Sequence, residues 1–160
     1  MMKSISVIIK KNDFDVLNEH LYKNRNLESG AIAFFNKSEG DNKVKLLISK
    51  LRIPKEDDYL DRTPSAISLK PEFVELCHSL CESENLHLLD IHTHPWSSSV
   101  EFSPIDDREA IKTKIPYLEK YVPNTAIAFI VFGNDISIAS ARYWDLNSKE
   151  MIPISDITVI

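Results

Sequence analysis

The sequence predicts a single α+β domain in which strands and helices share one core, and three observations carry that prediction. The chain has 160 residues, 43% of them apolar, which is enough to bury a core without disulfides. Period-two apolar runs alternate with segments of helical period along its whole length. No repeat, low-complexity tract or Gly/Ser-rich stretch marks a linker, so residues 1–160 read as one domain.

The elements follow in order. Met1 to Ile9 reads as a strand, β-branched from Ser4 onward, and Asp13 can cap a helix carrying Val16, Leu17, His20 and Leu21 on one face before polar Asn24 to Asn26 ends it. Ala31–Phe35 and Val44–Ile53 form a hairpin across the turn-rich 36–42 segment, with Gly40 in the loop. Lys55 to Pro64 is charged and flanked by prolines, the pattern of a mobile loop or insertion. Pro71 opens a helix with Phe73, Val74, Cys77, Leu80 and Cys81 on its apolar face. Leu86–His94 is a strand that Pro95 stops. Ser103 and Pro104 begin a helix running through Ile105, Ala110, Ile111 and Ile115 until Pro116 kinks or ends it. Thr125–Phe132 and Ile136–Tyr143 flank Gly133, Asn134 and Asp135, a hairpin signal, and Ile152–Ile160 adds an edge strand.

Composition removes several function classes. A net charge of −5 without a basic cluster argues against nucleic acid as a partner. No run approaches the eighteen or so apolar residues that span a bilayer, and Met1–Ile9 lacks signal-peptide features, so a soluble, cytoplasmic protein without a membrane role is expected. The only cysteines, Cys77 and Cys81, lie four apart on one helix face and read as buried, reduced thiols. An acidic surface with exposed strand edges permits a dimer without requiring one.

Chemistry concentrates in residues 92–106. Alternation along the strand puts Leu86, Leu88, Asp90, His92 and His94 on one face, so both imidazoles can reach one ion. Ser103 to Asp106 forms a capping box at a helix start, which explains the helix but not its closeness to two histidines. A first-turn carboxylate, from Asp106 or Asp107, would complete a His, His, Asp set with an open fourth position. Asp90 is a candidate acceptor behind an imidazole. Trp96 is a candidate wall for a substrate groove. Glu101 and Phe102 suit surface and staple roles, and His20, His78 and His87 lack partners at ligand spacing.

At His92, His94, Pro95, Ser103 and Asp106 the chain resembles the JAB1/MPN/Mov34, or JAMM, metalloproteases, whose signature is a His-x-His-Pro stretch followed by Ser-x-x-Asp. That family carries an upstream glutamate, and Glu28, Ser29, Gly30, Ala31 looks like the element that bears it. Two departures touch no ligand: Ala31 stands where a glycine is usual, and Phe35 where a glycine often ends the strand. Asp90–His94 is also similar to the Asp-x-His-x-His strand of PHP-type phosphoesterases, but no histidine follows His94 and too little chain remains for their barrel.

The JAMM resemblance implies a curved mixed sheet of the MPN and cytidine-deaminase type. It implies Zn2+ on His92, His94 and Asp106, with Glu28 as general base and Ser103 as oxyanion donor. The implied activity is that of a zinc isopeptidase or peptidase cutting after the C-terminal glycine of a ubiquitin-like protein or its conjugate. Separate E1-like and E2-like proteins of a bacterial conjugation system would be its partners, since three glycines and no Gly-x-Gly-x-x-Gly leave no nucleotide-binding domain in this chain. Trimming of a sulfur-carrier protein, or service as a non-catalytic MPN scaffold, are the alternative readings.

Overall fold

The computed structural model describes residues 3–160; Met1 and Met2, the start of the first predicted strand, lie outside the described residues. The fold is α+β, built on one curled, mixed sheet. Among the described residues ten strands form: β1 (Ser4–Ile9), β2 (Gly30–Gly40), β3 (Lys43–Arg52), β4 (Tyr59–Arg62), β5 (Ile67–Leu69), β6 (His87–Thr93), β7 (Ile127–Phe132), β8 (Ala139–Asp145), β9 (Glu150–Pro153) and β10 (Asp156–Val159). The helices are α1 (Lys11–Leu21), α2 (Pro71–Glu84), α3 (Pro104–Glu109) and α4 (Ile115–Tyr121), the last two joined by a π-helical turn over Ala110–Lys114.

Eight strands lie in the order β10-β1-β3-β2-β6-β7-β8-β9, and β4 pairs with β5 in a separate hairpin. Strands β9 and β10 sit at opposite ends of that order, yet only Ile154 and Ser155 separate them in the chain. Two residues span roughly 7 Å, so the sheet must curl until its rims meet. The backbone does so: the Ile154 N–H donates to Ala141 at 2.9 Å and the Ser155 N–H donates to Ile5 at 2.7 Å.

Curling gives the sheet two apolar faces. The inner one gathers Ile5, Val7, Leu46, Phe35, Leu89, Ile91, Ile130 and Phe132 with Leu17 and Leu21 of α1. The outer one packs Ile32, Phe34, Leu88, Ile127 and Phe129 against Phe73, Cys77 and Cys81 of α2 and against Ala110, Ile115 and Leu118. Strand β2 is buried on both faces from Gly30 to Phe35, which is why its sequence there reads as a continuous apolar run. β3, by contrast, alternates exposed lysines with buried Val44, Leu46 and Ile48.

Several predicted boundaries move, each for a local reason. Lys10 rather than Asp13 precedes α1, and Asp13 lies in its first turn, where a carboxylate suits the helix dipole. The predicted 36–42 loop is mostly strand: β2 continues to Gly40, and the turn is tight because Asn42 takes φ 64°. Lys55–Pro64 is ordered rather than a mobile insertion, since Tyr59 is buried and β4 pairs with β5. Pro116 does not stop its helix; the π-helical turn ahead of it loosens the backbone, and Pro116 opens α4. β8 starts at Ala139 because Asp135 to Ile138 form the turn, the Gly133 N–H reaching Ile138 at 2.8 Å. The single edge strand expected at 152–160 is two strands on opposite rims. Among the described residues no helix is long and apolar enough to cross a membrane.

Candidate metal centre

Strand β6 is the floor. His92 lies on its outer face, in the register that pairs it with Gly30 of β2 and Val131 of β7. His94 continues past the strand end, its N–H held by Phe132 at 2.7 Å. The two Nε2 atoms are 3.3 Å apart. Asp106 arrives from the first turn of α3, with Oδ1 3.2 Å from His92 Nε2 and Oδ2 3.3 Å from His94 Nε2. Asp107 points elsewhere and pairs with Arg142 at 2.6 Å, so of the two carboxylates it is Asp106 that faces the imidazoles.

The capping box accounts for how Asp106 is aimed. Ser103 Oγ accepts the Asp106 N–H at 3.1 Å, and Asp106 Oδ2 accepts the Ser103 N–H at 2.8 Å. One carboxylate therefore caps its own helix and faces both imidazoles. Capping uses the Ser103 oxygen as an acceptor and leaves its hydroxyl hydrogen free to donate.

Glu28 closes the group. Its side chain supplies a donor atom that lies, with those of His92 and His94, inside a common 4.8 Å separation, so these three could hold a metal ion. Glu28 is only 3% exposed. Burial pushes its carboxyl up to about 7; neighbouring His94 works against that rise and Asp106 adds to it. Burial acts on Asp106 in the same sense, but its hydrogen bonds with His92 and His94 outweigh it and hold that carboxyl well below the usual range. His94 is raised, chiefly by its hydrogen bond with Asp106. Two carboxyl groups lining one cleft are thus driven in opposite directions.

Sequence patterns did not disclose what holds Glu28. Its N–H donates to Thr63 O and its own carbonyl accepts from Arg62 Nε, both at 2.9 Å. Arg62 Nη2 also donates to Ser29 Oγ at 2.6 Å, its Nη1 meets Glu56, and its guanidinium lies over the Tyr59 ring. The β4–β5 hairpin therefore grips the backbone of Glu28. Gly30 packs closely beneath that hairpin: a Cβ there would approach Ile67 Cδ1 to 2.9 Å and Ile91 O to 3.3 Å, so the Ile67 side chain would have to shift.

Other expectations are corrected or filled in. Asp90 does not orient an imidazole; its carboxylate takes Lys114 Nζ at 2.6 Å, delivered by the π-helical turn. Trp96 stacks on His94 with a 12° interplanar angle while staying 58% exposed, so it flanks the site. Phe102 lies under the Arg142 guanidinium. His20 Nε2 donates to Gly30 O at 2.8 Å, His87 Nδ1 accepts the Ala126 N–H at 2.8 Å, and His78 is buried among α2 and α4 side chains. Cys77 and Cys81 are free, buried thiols whose pKa burial raises to about 12, which keeps them inert.

Glu28, His92, His94, Ser103 and Asp106 line one cleft of about 280 Å³. Compared with known proteins, the chain matches no protein-family model and no curated protein. The solution structure of protein DSY2949 from Desulfitobacterium hafniense is similar in fold, with a TM-score of 0.57 at 12% identity over 98% of this chain and 92% of that one.

Proposed function

We propose that this protein is a zinc-dependent isopeptidase or peptidase of the JAMM type, cutting after the C-terminal glycine of a ubiquitin-like protein or its conjugate. The observation that carries the reading is the spacing of donor atoms. Tetrahedral zinc with arms of 2.0–2.1 Å sets neighbouring ligand atoms about 3.3 Å apart. The pairs His92–His94, His92–Asp106 and His94–Asp106 stand at 3.3, 3.2 and 3.3 Å. Two imidazole nitrogens and a carboxylate at that separation, with a second carboxyl beside them, suit His92, His94 and Asp106 as ligands and Glu28 as the proton carrier.

His92, His94 and Asp106 would hold the zinc, which would supply Lewis acidity toward a carbonyl and lower the pKa of water to about 7. Glu28 accepts a proton from the attacking water as its oxygen bonds to the carbonyl carbon. It then delivers that proton to the amine nitrogen as the C–N bond breaks. A carboxyl with a pKa near 7 is matched to both halves of this exchange at neutral pH. Ser103 donates its free hydroxyl hydrogen to the oxyanion, a contribution of roughly 3 kcal/mol for one such donor. The substrate tail lies extended along β5, whose edge away from β4 can accept another strand. A cytoplasmic setting with separate E1-like and E2-like proteins belongs to this reading, and trimming of a sulfur-carrier protein would use the same chemistry.

The test is direct. Zinc-loaded protein incubated with ubiquitin-like precursors should release the segment beyond the terminal glycine, read by mass spectrometry. Glu28→Gln should retain one equivalent of zinc and lose at least a hundredfold in turnover, whereas His92→Ala and Asp106→Ala should lose the zinc as well. Wild-type turnover by Glu28→Gln would remove Glu28 from the mechanism, and zinc-free, inactive wild type would point instead to a scaffold subunit.

A further inference from the structure

Arg142 enters the same cleft from β8, directly across the ladder from Phe129 of β7. Its guanidinium lies 3.8 Å from the Phe102 ring centroid and 5.8 Å from that of Phe129. Only Nη1 has a partner, the Asp107 carboxylate at 2.6 Å, while buried Nε and Nη2 have none. A guanidinium carries five N–H donors in a rigid fork, and leaving the three on Nε and Nη2 dry and unpaired is costly. Asp107 itself is 56% exposed, a surface carboxylate resting on a desolvated cation.

The charges of the cleft single this residue out. Glu28, Asp61, Asp90, Asp106 and Glu109 line it against two cations, Lys114 and Arg142. Lys114 is ion-paired with Asp90, whereas Arg142 keeps two buried nitrogens, Nε and Nη2, without partners. Its position gives the direction. β5 lies on one side; His92 on β6 and His94 just past its end lie between; Phe129 and Arg142, on β7 and β8, lie on the other side. A chain whose acyl part follows β5 and whose scissile carbonyl lies over the imidazoles must send its leaving segment toward Arg142.

We propose that Arg142 is a specificity residue that binds a carboxylate on the leaving segment, with Asp107 as an exchangeable stand-in for that group. This rests on the metallopeptidase reading and deepens it. The favoured substrates carry their negative charge immediately after the cut, as the α-carboxylate of a very short C-terminal extension or as an acidic first side chain. A lysine-linked conjugate offers no such group at that distance and is the poorer substrate.

Four tail peptides test this: Gly-Gly-Ala as free acid and as amide, and Gly-Gly-Asp and Gly-Gly-Asn as amides. Wild-type protein should favour acid over amide in the first pair, or Asp over Asn in the second, by about tenfold in KM, the scale of a charge-assisted pair; which pair responds identifies the source of the carboxylate. Arg142→Gln should bring each pair within about twofold. Asp107→Asn, which removes the stand-in and leaves the guanidinium in place, should widen the preference. Should no peptide be cut, the same ratios are read from binding to zinc-loaded Glu28→Gln protein, so failure of catalysis and failure of recognition are separable. Equal handling within both pairs by wild type, or a preference that survives Arg142→Gln, overturns the proposal.

Discussion

A neutral imidazole built into the sheet makes the clearest prediction at the scale of a single residue. His87 Nδ1 accepts the Ala126 N–H, so the fold needs the ring unprotonated. Burial, helped by Lys37, pushes its pKa down to about 4, whereas an unfolded histidine titrates near 6.5. Between those values the unfolded chain binds the extra proton, so the stability His87 contributes is complete above pH 6.5 and drains away as pH falls toward 4. Urea unfolding of wild type and His87→Gln should differ in slope over that window. After allowance for solvent screening, the excess loss in wild type should be on the order of 1–2 kcal/mol. A parallel pair of pH profiles would refute the assignment.

Residues also explain what the sequence could and could not disclose about the site. His92, His94, Ser103 and Asp106 fall within fifteen positions on one strand and the turn after it, so local periodicity and capping chemistry bring them together before any tertiary fold is known. Glu28 needed a resemblance to find it. Arg62 and Arg142 left no pattern at all, because Arg62 reaches the Glu28 backbone and Arg142 the cleft through strand pairing between segments whose neighbours are set by topology. Asp90 misled for the same reason: its partner Lys114 sits on a π-helical turn that no spacing rule anticipates.

Among the elements, the β4–β5 hairpin matters most. Proline-flanked and highly charged, it reads as a loop, yet buried Tyr59 and the Arg62 network tie it to the strand bearing Glu28. Both main-chain polar groups of Glu28 bond to this hairpin instead of to the main sheet. Arg62→Ala should therefore lower kcat by roughly ten- to a hundredfold through misplacement of the carboxyl, with zinc stoichiometry unchanged, and Arg62→Lys should recover only part of it because one ammonium cannot span Glu28 and Ser29 together. Loss of zinc in Arg62→Ala would show the hairpin to be general scaffolding. Gly30→Ala should act similarly by lifting Ile67.

At the scale of the molecule, closure of the sheet is the feature that no periodicity announces. The identities of β1, β2, β3, β6, β7 and β8 were legible, since each carries its own alternation or apolar run; β4 and β5 were not, and neither was the separation of β9 from β10, because the apolar residues at 152, 154 and 157 obscure the turn residues Pro153, Ser155 and Asp156 between them. Ser155→Pro tests the closure, removing the N–H that bonds to Ile5. It should cost about 1–3 kcal/mol in chemical denaturation while leaving zinc content intact, as the metal side chains lie on β6 and α3. An unperturbed midpoint would mean that the rims are held by side-chain packing alone.

The parallel pairing of β1 with β10 joins Ser6 to Asp156. While the polypeptide is being synthesised, one flank of β1 therefore stays bare until some 150 further positions have emerged from the ribosome. A nascent chain of this kind offers an unfilled template for another strand throughout that wait. Translation speed and chaperone supply would consequently govern its yield more than the stability of the finished domain.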